Sequence, residues 1–165
     1  MRDRVEGSPL KKLTMDLEDL NRRITRLEDL EAIKQLKATY CDICDDAHNP
    51  DRIVQIFTED GIWEGKGIGR AEGHAELRTL FEGFRDAILF SQHMSQNPVI
   101  EVNGDVAEGT WYFFGPFTLR KNNRAIWQAC RYHDTYRKTP DGWKIAHLRI
   151  RGPRLNATYK DGWAD

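Results

Sequence analysis

Apolar residues recur at alternating steps of three and four from Leu10: Leu10, Leu13, Leu17, Leu20, Ile24 and Leu27. This is a heptad seam along one side of a helix. Lys11, Lys12, Asp16, Glu18, Arg22, Arg23 and Arg26 cover the other sides. The seam then changes phase to Leu30, Ile33 and Leu36 and runs into Tyr40. The phase change predicts two units. Residues 10–28 form an N-terminal amphipathic helix that packs on another protomer or back on its own domain. The first helix of the core follows. Residues 1–9 hold Gly7, Ser8 and Pro9 without an apolar pattern and are expected to be a loose tail.

Asn49-Pro50-Asp51 ends the core helix and caps the next, since proline suits a first helical position. Ile53, Val54, Ile56 and Phe57 form the apolar side of that second helix, and Glu59-Asp60-Gly61 turns into a short strand around Ile62 and Trp63. A loose turn region follows at Gly65, Gly67 and Gly69. A third helix is predicted from about Gly73 to Phe84, burying Leu77, Leu80, Phe81 and Phe84. Beyond it the period becomes two. Strands are predicted over 93–102, 106–120, 124–138 and 143–151, separated by Gly104-Asp105, Lys121-Asn122-Asn123 and Pro140-Asp141-Gly142. Helices first and long antiparallel strands afterwards predict an α+β domain over 29–155, with 156–165 as a C-terminal tail. The expected architecture is a cone-shaped, curved antiparallel sheet. N-terminal helices pack against it and enclose an internal pocket for a small ligand.

Composition narrows the function. Lys+Arg number 25 against 26 Asp+Glu, a net charge of -1. No excess of positive charge exists to hold phosphates, so no nucleic-acid partner is expected. No apolar run approaches membrane-spanning length, and the first ten residues have no signal-peptide core, so a cytoplasmic location without membrane contact is expected. The glycines at 65, 67 and 69 are followed by no Lys-Ser/Thr and do not make a phosphate loop. Cys41-x-x-Cys44 lacks a second ligand pair and reads as two small apolar helix residues. No His/Cys/Asp/Glu group shows metal-ligand spacing, so no metal and no cofactor are expected.

The segments EAIKQLKATYCDICDD, IFTEDGIWEG, SQHMSQNPVIEVNGDVAEGTWYF and YHDTYRKTPDGWKI, in this order and spacing, resemble the SnoaL-like (nuclear transport factor 2-like) family over about residues 30 to 150. Scytalone dehydratase, hexachlorocyclohexane dehydrochlorinase and bile-acid dehydratase are functional relatives that the resemblance suggests. It implies a cone-shaped fold and a His-Asp pair that removes a proton while a leaving group departs. The family base falls on His93. Its helix aspartate falls on Asp45 when counted from Tyr40, and on Asp46 when counted back from Trp63. Asp45 is favoured, because a helix transmits register better than a loop. Tyr40 matches a pocket tyrosine, and Arg149 and Arg151 approximately match a pocket arginine.

The chemistry is sound apart from the family. A carboxylate bonded to one imidazole nitrogen fixes the tautomer, frees the other nitrogen to accept a proton and stabilises the imidazolium. Asn97 shares a strand face with His93 and is expected in the pocket. Arg131 and Tyr132 lie on opposite faces of one strand, and either could line it. Trp63 and Trp111, with Phe81, Phe84, Phe113, Phe117 and Trp127, suit an apolar wall for a flat, mostly apolar substrate. His48 and His74 read as loop and helix-surface residues. The expected function is a cofactor-independent, dehydratase-like lyase. An isomerase or cyclase using the same base and a non-catalytic binding or assembly subunit stand as alternatives. A dimer or trimer is expected from the open sheet face and the leucine seam.

Overall fold

The computed structural model describes residues 16–158. Helix α1 spans Leu17–Asp45 without a break, so the two predicted units are one rod. Asp16 caps it, accepting from the Glu18 amide at 3.1 Å. Its first three turns are almost wholly exposed, and Leu17, Ile24 and Leu27 lie 80%, 44% and 65% accessible. Leu10 and Leu13 lie outside the described residues. Within the described chain the seam therefore does not pack back on its own domain. Burial begins at Asp29, where the carboxylate accepts from Lys138 Nζ at 2.7 Å and Trp143 Nε1 at 2.8 Å.

Asn49 caps α2 (Pro50–Ile56), its side-chain oxygen accepting from the Asp51 and Arg52 amides at 3.1 Å each. Strand β1 (Phe57–Gly65) begins at once and turns back through Gly67 (φ 73°) into β2 (Gly69–Glu72), inside the predicted turn region. Helix α3 (Gly73–Ala87) buries Leu77 and Phe81. Then come β3 (Ile88–Ser91), β4 (Met94–Asn103), β5 (Val106–Leu119), β6 (Arg124–Thr139) and β7 (Gly142–Thr158). Strand β7 runs past residue 155, the expected domain end, and pairs Thr158 with Ile126.

The sheet order is β2-β1-β7-β6-β5-β3, with β4 also on β5. One expectation is corrected here: the sheet is mixed. Strand β1 runs parallel to β7, with Trp63 beside Leu148. Strand β1 adds beside β7, the last strand of the antiparallel meander, and carries β2 on its other side. The sheet curls strongly around α1, α2 and α3, giving an open α+β cone. Strands β5 and β6 alternate cleanly, with Ala107, Trp111, Phe113 and Phe117 facing inward alongside Ile126, Cys130, Tyr132 and Tyr136.

The floor of the cone is polar and buried. Lys37 Nζ donates to Asp134 Oδ2 at 2.8 Å, with side-chain accessibilities of 1% and 0%. Tyr136 Oη donates to the same oxygen at 2.9 Å and accepts from Trp111 Nε1 at 3.0 Å. The ammonium also sits 3.5 Å from the Tyr132 ring centre. Lys37 lies seven residues after Leu30, on the same side of α1 as the buried Ile33 and Tyr40. The packing places it in the core because Asp134 supplies its counter-charge.

Candidate functional site

Above that floor lies an apolar cavity of about 220 Å³. Trp63, Phe81, Phe84, Phe113 and Phe117 contribute to its wall. Tyr40, Cys44, His48, His93, Gln128 and Tyr132 are its main polar groups.

His93 stands at the corner between β3 and β4. Its side chain is 6% accessible, against 30% for Asp45 at the end of α1. His93 Nδ1 lies 2.7 Å from Asp45 Oδ1, and the His93 amide donates to both carboxylate oxygens at 3.0 Å. Ser91 Oγ donates to the Cys44 carbonyl at 3.1 Å and reaches Asp45 Oδ1 at 3.4 Å. An ionised carboxylate only accepts, so Nδ1 carries the ring proton and Nε2 keeps its lone pair. Asp46 takes a different role one residue on, pairing with Arg52 at 2.9 Å on the surface. Of the two aspartates left open by the sequence, Asp45 is the one that meets His93.

The corner that carries His93 is held by backbone. Gln92 N donates to the Pro116 carbonyl at 3.1 Å. A Cβ on Gly115 would collide with the Gln92 carbonyl oxygen. Glycine at 115 thus lets the corner press onto β5, and β5 sets the depth of the imidazole. The ring packs 5.1 Å from Phe113 and 5.2 Å from Phe117, centre to centre.

Tyr40 lines the cavity as expected. Its hydroxyl accepts from Trp63 Nε1 at 3.0 Å and is hydrogen-bonded to Cys44. Burial pushes the Tyr40, Tyr132 and Cys44 pKa values up, so all three stay protonated in neutral water. Tyr132 is the inward member of the Arg131/Tyr132 pair.

Four expected pocket residues lie elsewhere. Asn97 is exposed with φ 50°, because a register shift between Gln96 and Val99 breaks the alternation from His93. Arg131 is on the outer face, donating to Tyr112 Oη at 2.7 Å and stacking on that ring at 4.4 Å. Arg149 is outside the cavity, bonded to His147 at 2.9 Å and facing Glu64 at 3.7 Å. Trp111 is buried deeper, in the polar floor. No arginine or lysine is among the cavity's described wall residues.

His48 corrects the surface reading. It is 4% accessible and lines the cavity, 5.7 Å from the His93 ring. Ala47 and His48 both adopt φ 51°, a left-handed turn that costs about 1 kcal/mol per non-glycine residue and swings the imidazole inward. Burial first, and the neighbouring His93 second, lower its pKa to about 4, with Asp45 acting in the opposite sense. An unfolded histidine titrates near 6.5. Between these values the unfolded chain binds more protons, so stability falls as pH drops from about 7 towards 4. The slope from this group is at most about 1.4 kcal/mol per pH unit. Urea unfolding at pH 7 and pH 5 should show a smaller loss for His48→Phe than for the parent protein. Equal losses would refute the assignment. Cys44, His48 and His93 bring donor atoms within 4.8 Å of one another, a grouping that residue spacing along the chain does not reveal.

An open cone of mixed sheet, closed by helices over an apolar cavity with His93 on its wall, defines a nuclear transport factor 2-like α+β domain. The SnoaL-like domain model matches residues 25–149, and the chain belongs to that family. An uncharacterised protein of Mycobacterium tuberculosis H37Rv is 23% identical over 124 residues, 74% of this chain and 84% of that protein. A Novosphingobium aromaticivorans structure provisionally described as an aromatic ring hydroxylase is 27% identical. It has a TM-score of 0.74 and covers 82% of this chain and 96% of its own. A hexachlorocyclohexane dehydrochlorinase (LinA, type 2) is 21% identical. Its TM-score is 0.79, with 87% and 97% covered. No helix among the described residues is long and apolar enough to cross a membrane.

Proposed function

We propose that the protein is a cofactor-independent lyase of the dehydratase type. The observation that carries this is the 2.7 Å contact between His93 Nδ1 and Asp45 beside an apolar cavity. His93 Nε2 removes a proton from a carbon of the substrate. Asp45 holds the tautomer and balances the imidazolium that forms. Tyr40 and His48, both neutral donors at neutral pH, face the departing group or a carbonyl oxygen. The sequence expectation gave that task to Tyr40 together with an arginine, and no described arginine lines the cavity.

A volume of about 220 Å³ is below the roughly 300–1,000 Å³ of drug-sized sites. It suits a flat compound of one or two rings better than a sterol. The fold shared with a dehydrochlorinase is consistent with an elimination. The experiment is turnover of a panel of small cyclic ketones, alcohols and halides, read by product mass. Loss of water or acid identifies the lyase, and unchanged mass with a moved double bond identifies the isomerase. No turnover of any member by parent protein, with an unrelated ligand filling the cavity, would favour a binding role.

A homo-oligomer belongs to the same proposal. The exposed Leu17, Ile24 and Leu27 form one stripe, and Val99, Tyr112 and Phe114 leave an apolar outer sheet face. Replacing Leu17, Ile24 and Leu27 together by glutamate should lower the mass measured by light scattering. An unchanged mass would remove the helix from the interface.

A further inference from the structure

We infer that Cys44, His48 and His93 form a binding site for a borderline-soft divalent cation of the zinc class, with Asp45 as its outer-sphere carboxylate. The inference goes beyond the lyase proposal and does not depend on it.

One donor atom from each of the three residues lies within 4.8 Å of the other two. Two of them come from the end of α1 and the turn that follows it. The His48 amide donates to the Cys44 carbonyl at 3.2 Å, and the left-handed conformation of Ala47 and His48 turns the imidazole back beside Cys44. The third comes from the β3–β4 corner. A tetrahedral zinc site with Zn–N near 2.0–2.1 Å and Zn–S near 2.3 Å separates its donors by about 3.4–3.6 Å. Rotation about the side-chain torsions of Cys44 and His48 supplies the remaining contraction.

Two of the three ligands also have the outer partner that such sites use. His93 gives its Nδ1 proton to Asp45 at 2.7 Å, which aims Nε2 away from the carboxylate. Cys44 is hydrogen-bonded to the Tyr40 hydroxyl, itself fixed by Trp63 Nε1 at 3.0 Å. His48 is 4% accessible, and its ring nitrogens have no hydrogen-bond partner among the described residues. A buried imidazole without a protein partner points to a group that enters the cavity. The charges close as well. A divalent cation, the Cys44 thiolate left when the cation displaces its proton, and the Asp45 carboxylate sum to zero, so the apolar cavity gains no net charge. Three protein ligands leave a fourth position facing the cavity, the pattern of an open rather than a purely structural site. Occupation uses the Nε2 lone pair of His93, so the cation-bound form has no free base there.

The test is titration of the chelator-treated full chain with Co²⁺, followed by Zn²⁺. The expected result is one equivalent of cobalt bound, with a near-ultraviolet thiolate-to-cobalt band and intense visible bands of four-coordination, all displaced by zinc. Cys44→Ala should abolish the thiolate band, and His48→Ala should weaken binding at least about tenfold. Asp45→Asn should weaken it about 10–100-fold. Cys41→Ala should keep the band, because the Cys41 thiol points to Ser95 Oγ at 3.2 Å. Circular dichroism verifies that each variant is folded. Absence of a thiolate band in the parent protein at stoichiometric cobalt would overturn the site, as would its survival in folded Cys44→Ala protein.

Discussion

Replacing His93 by alanine is expected to lower turnover of the true substrate by about 10²–10⁴-fold while leaving the fold intact. In the proposed reaction the imidazole is the base, because its Nδ1 is committed to Asp45 and its other nitrogen is left for a mostly apolar cavity. Asp45→Asn keeps the shape of the pair and removes its charge. The amide can present its NH₂ to Nδ1, which would move the ring proton to Nε2 and leave the wrong nitrogen protonated. A large fall in kcat with little change in KM is therefore expected, since the charge matters most when the imidazolium forms. Asp46→Asn is the control. Asp46 serves Arg52 at the surface, so its turnover should match the parent protein. Unchanged turnover in a folded His93→Ala protein would remove proton abstraction from the account. Near-UV circular dichroism would verify folding, as the ring packs against Phe113 and Phe117.

The largest stability effect is expected at Lys37. Lys37→Met should lower the unfolding free energy by about 3–5 kcal/mol, because it strands a buried carboxylate whose other oxygen, Asp134 Oδ1, already lacks a described partner. The double variant Lys37→Met/Asp134→Asn should recover most of that loss. It removes both charges and keeps an acceptor for the Tyr136 hydroxyl. Urea unfolding of the parent, single and double proteins measures the effect. A single variant within about 1 kcal/mol of the parent would show that Asp134 is protonated or hydrated instead, and that the pair is not what holds the floor of the cone.

Much of the fold was legible because the signals are local. The Asn49-Pro50 cap, the third helix and the period-two strands each follow from side chains a few residues apart. Asp45 and Tyr40 were placed by resemblance and helical register, and Trp63 as a candidate wall aromatic; the structure brings Tyr40 and Trp63 to the same cavity as His93 and sets Asp45 against its ring. The misplaced residues share a physical cause. Asn97 was assigned by unbroken alternation, and a bulge before Pro98 ended it. Arg131 and Tyr132 could not be separated by periodicity, because both faces of β6 carry aromatic and charged residues. His48 was hidden by its position between two helices, a place that normally faces solvent. Its burial depends on two left-handed residues and on Phe81 and Phe84, which arrive from α3.

The amino-acid sequence by itself determined most of the elements and the α+β class, since propensity, capping and period act over one or two turns; His93 was singled out by resemblance, and the choice between Asp45 and Asp46 stayed open. Only the tertiary structure decided that β1 joins β7 in parallel, that Lys37 is buried against Asp134, and that Cys44, His48 and His93 converge. Those outcomes depend on contacts between segments tens of residues apart, where packing and the pairing of buried charge decide which side chains meet.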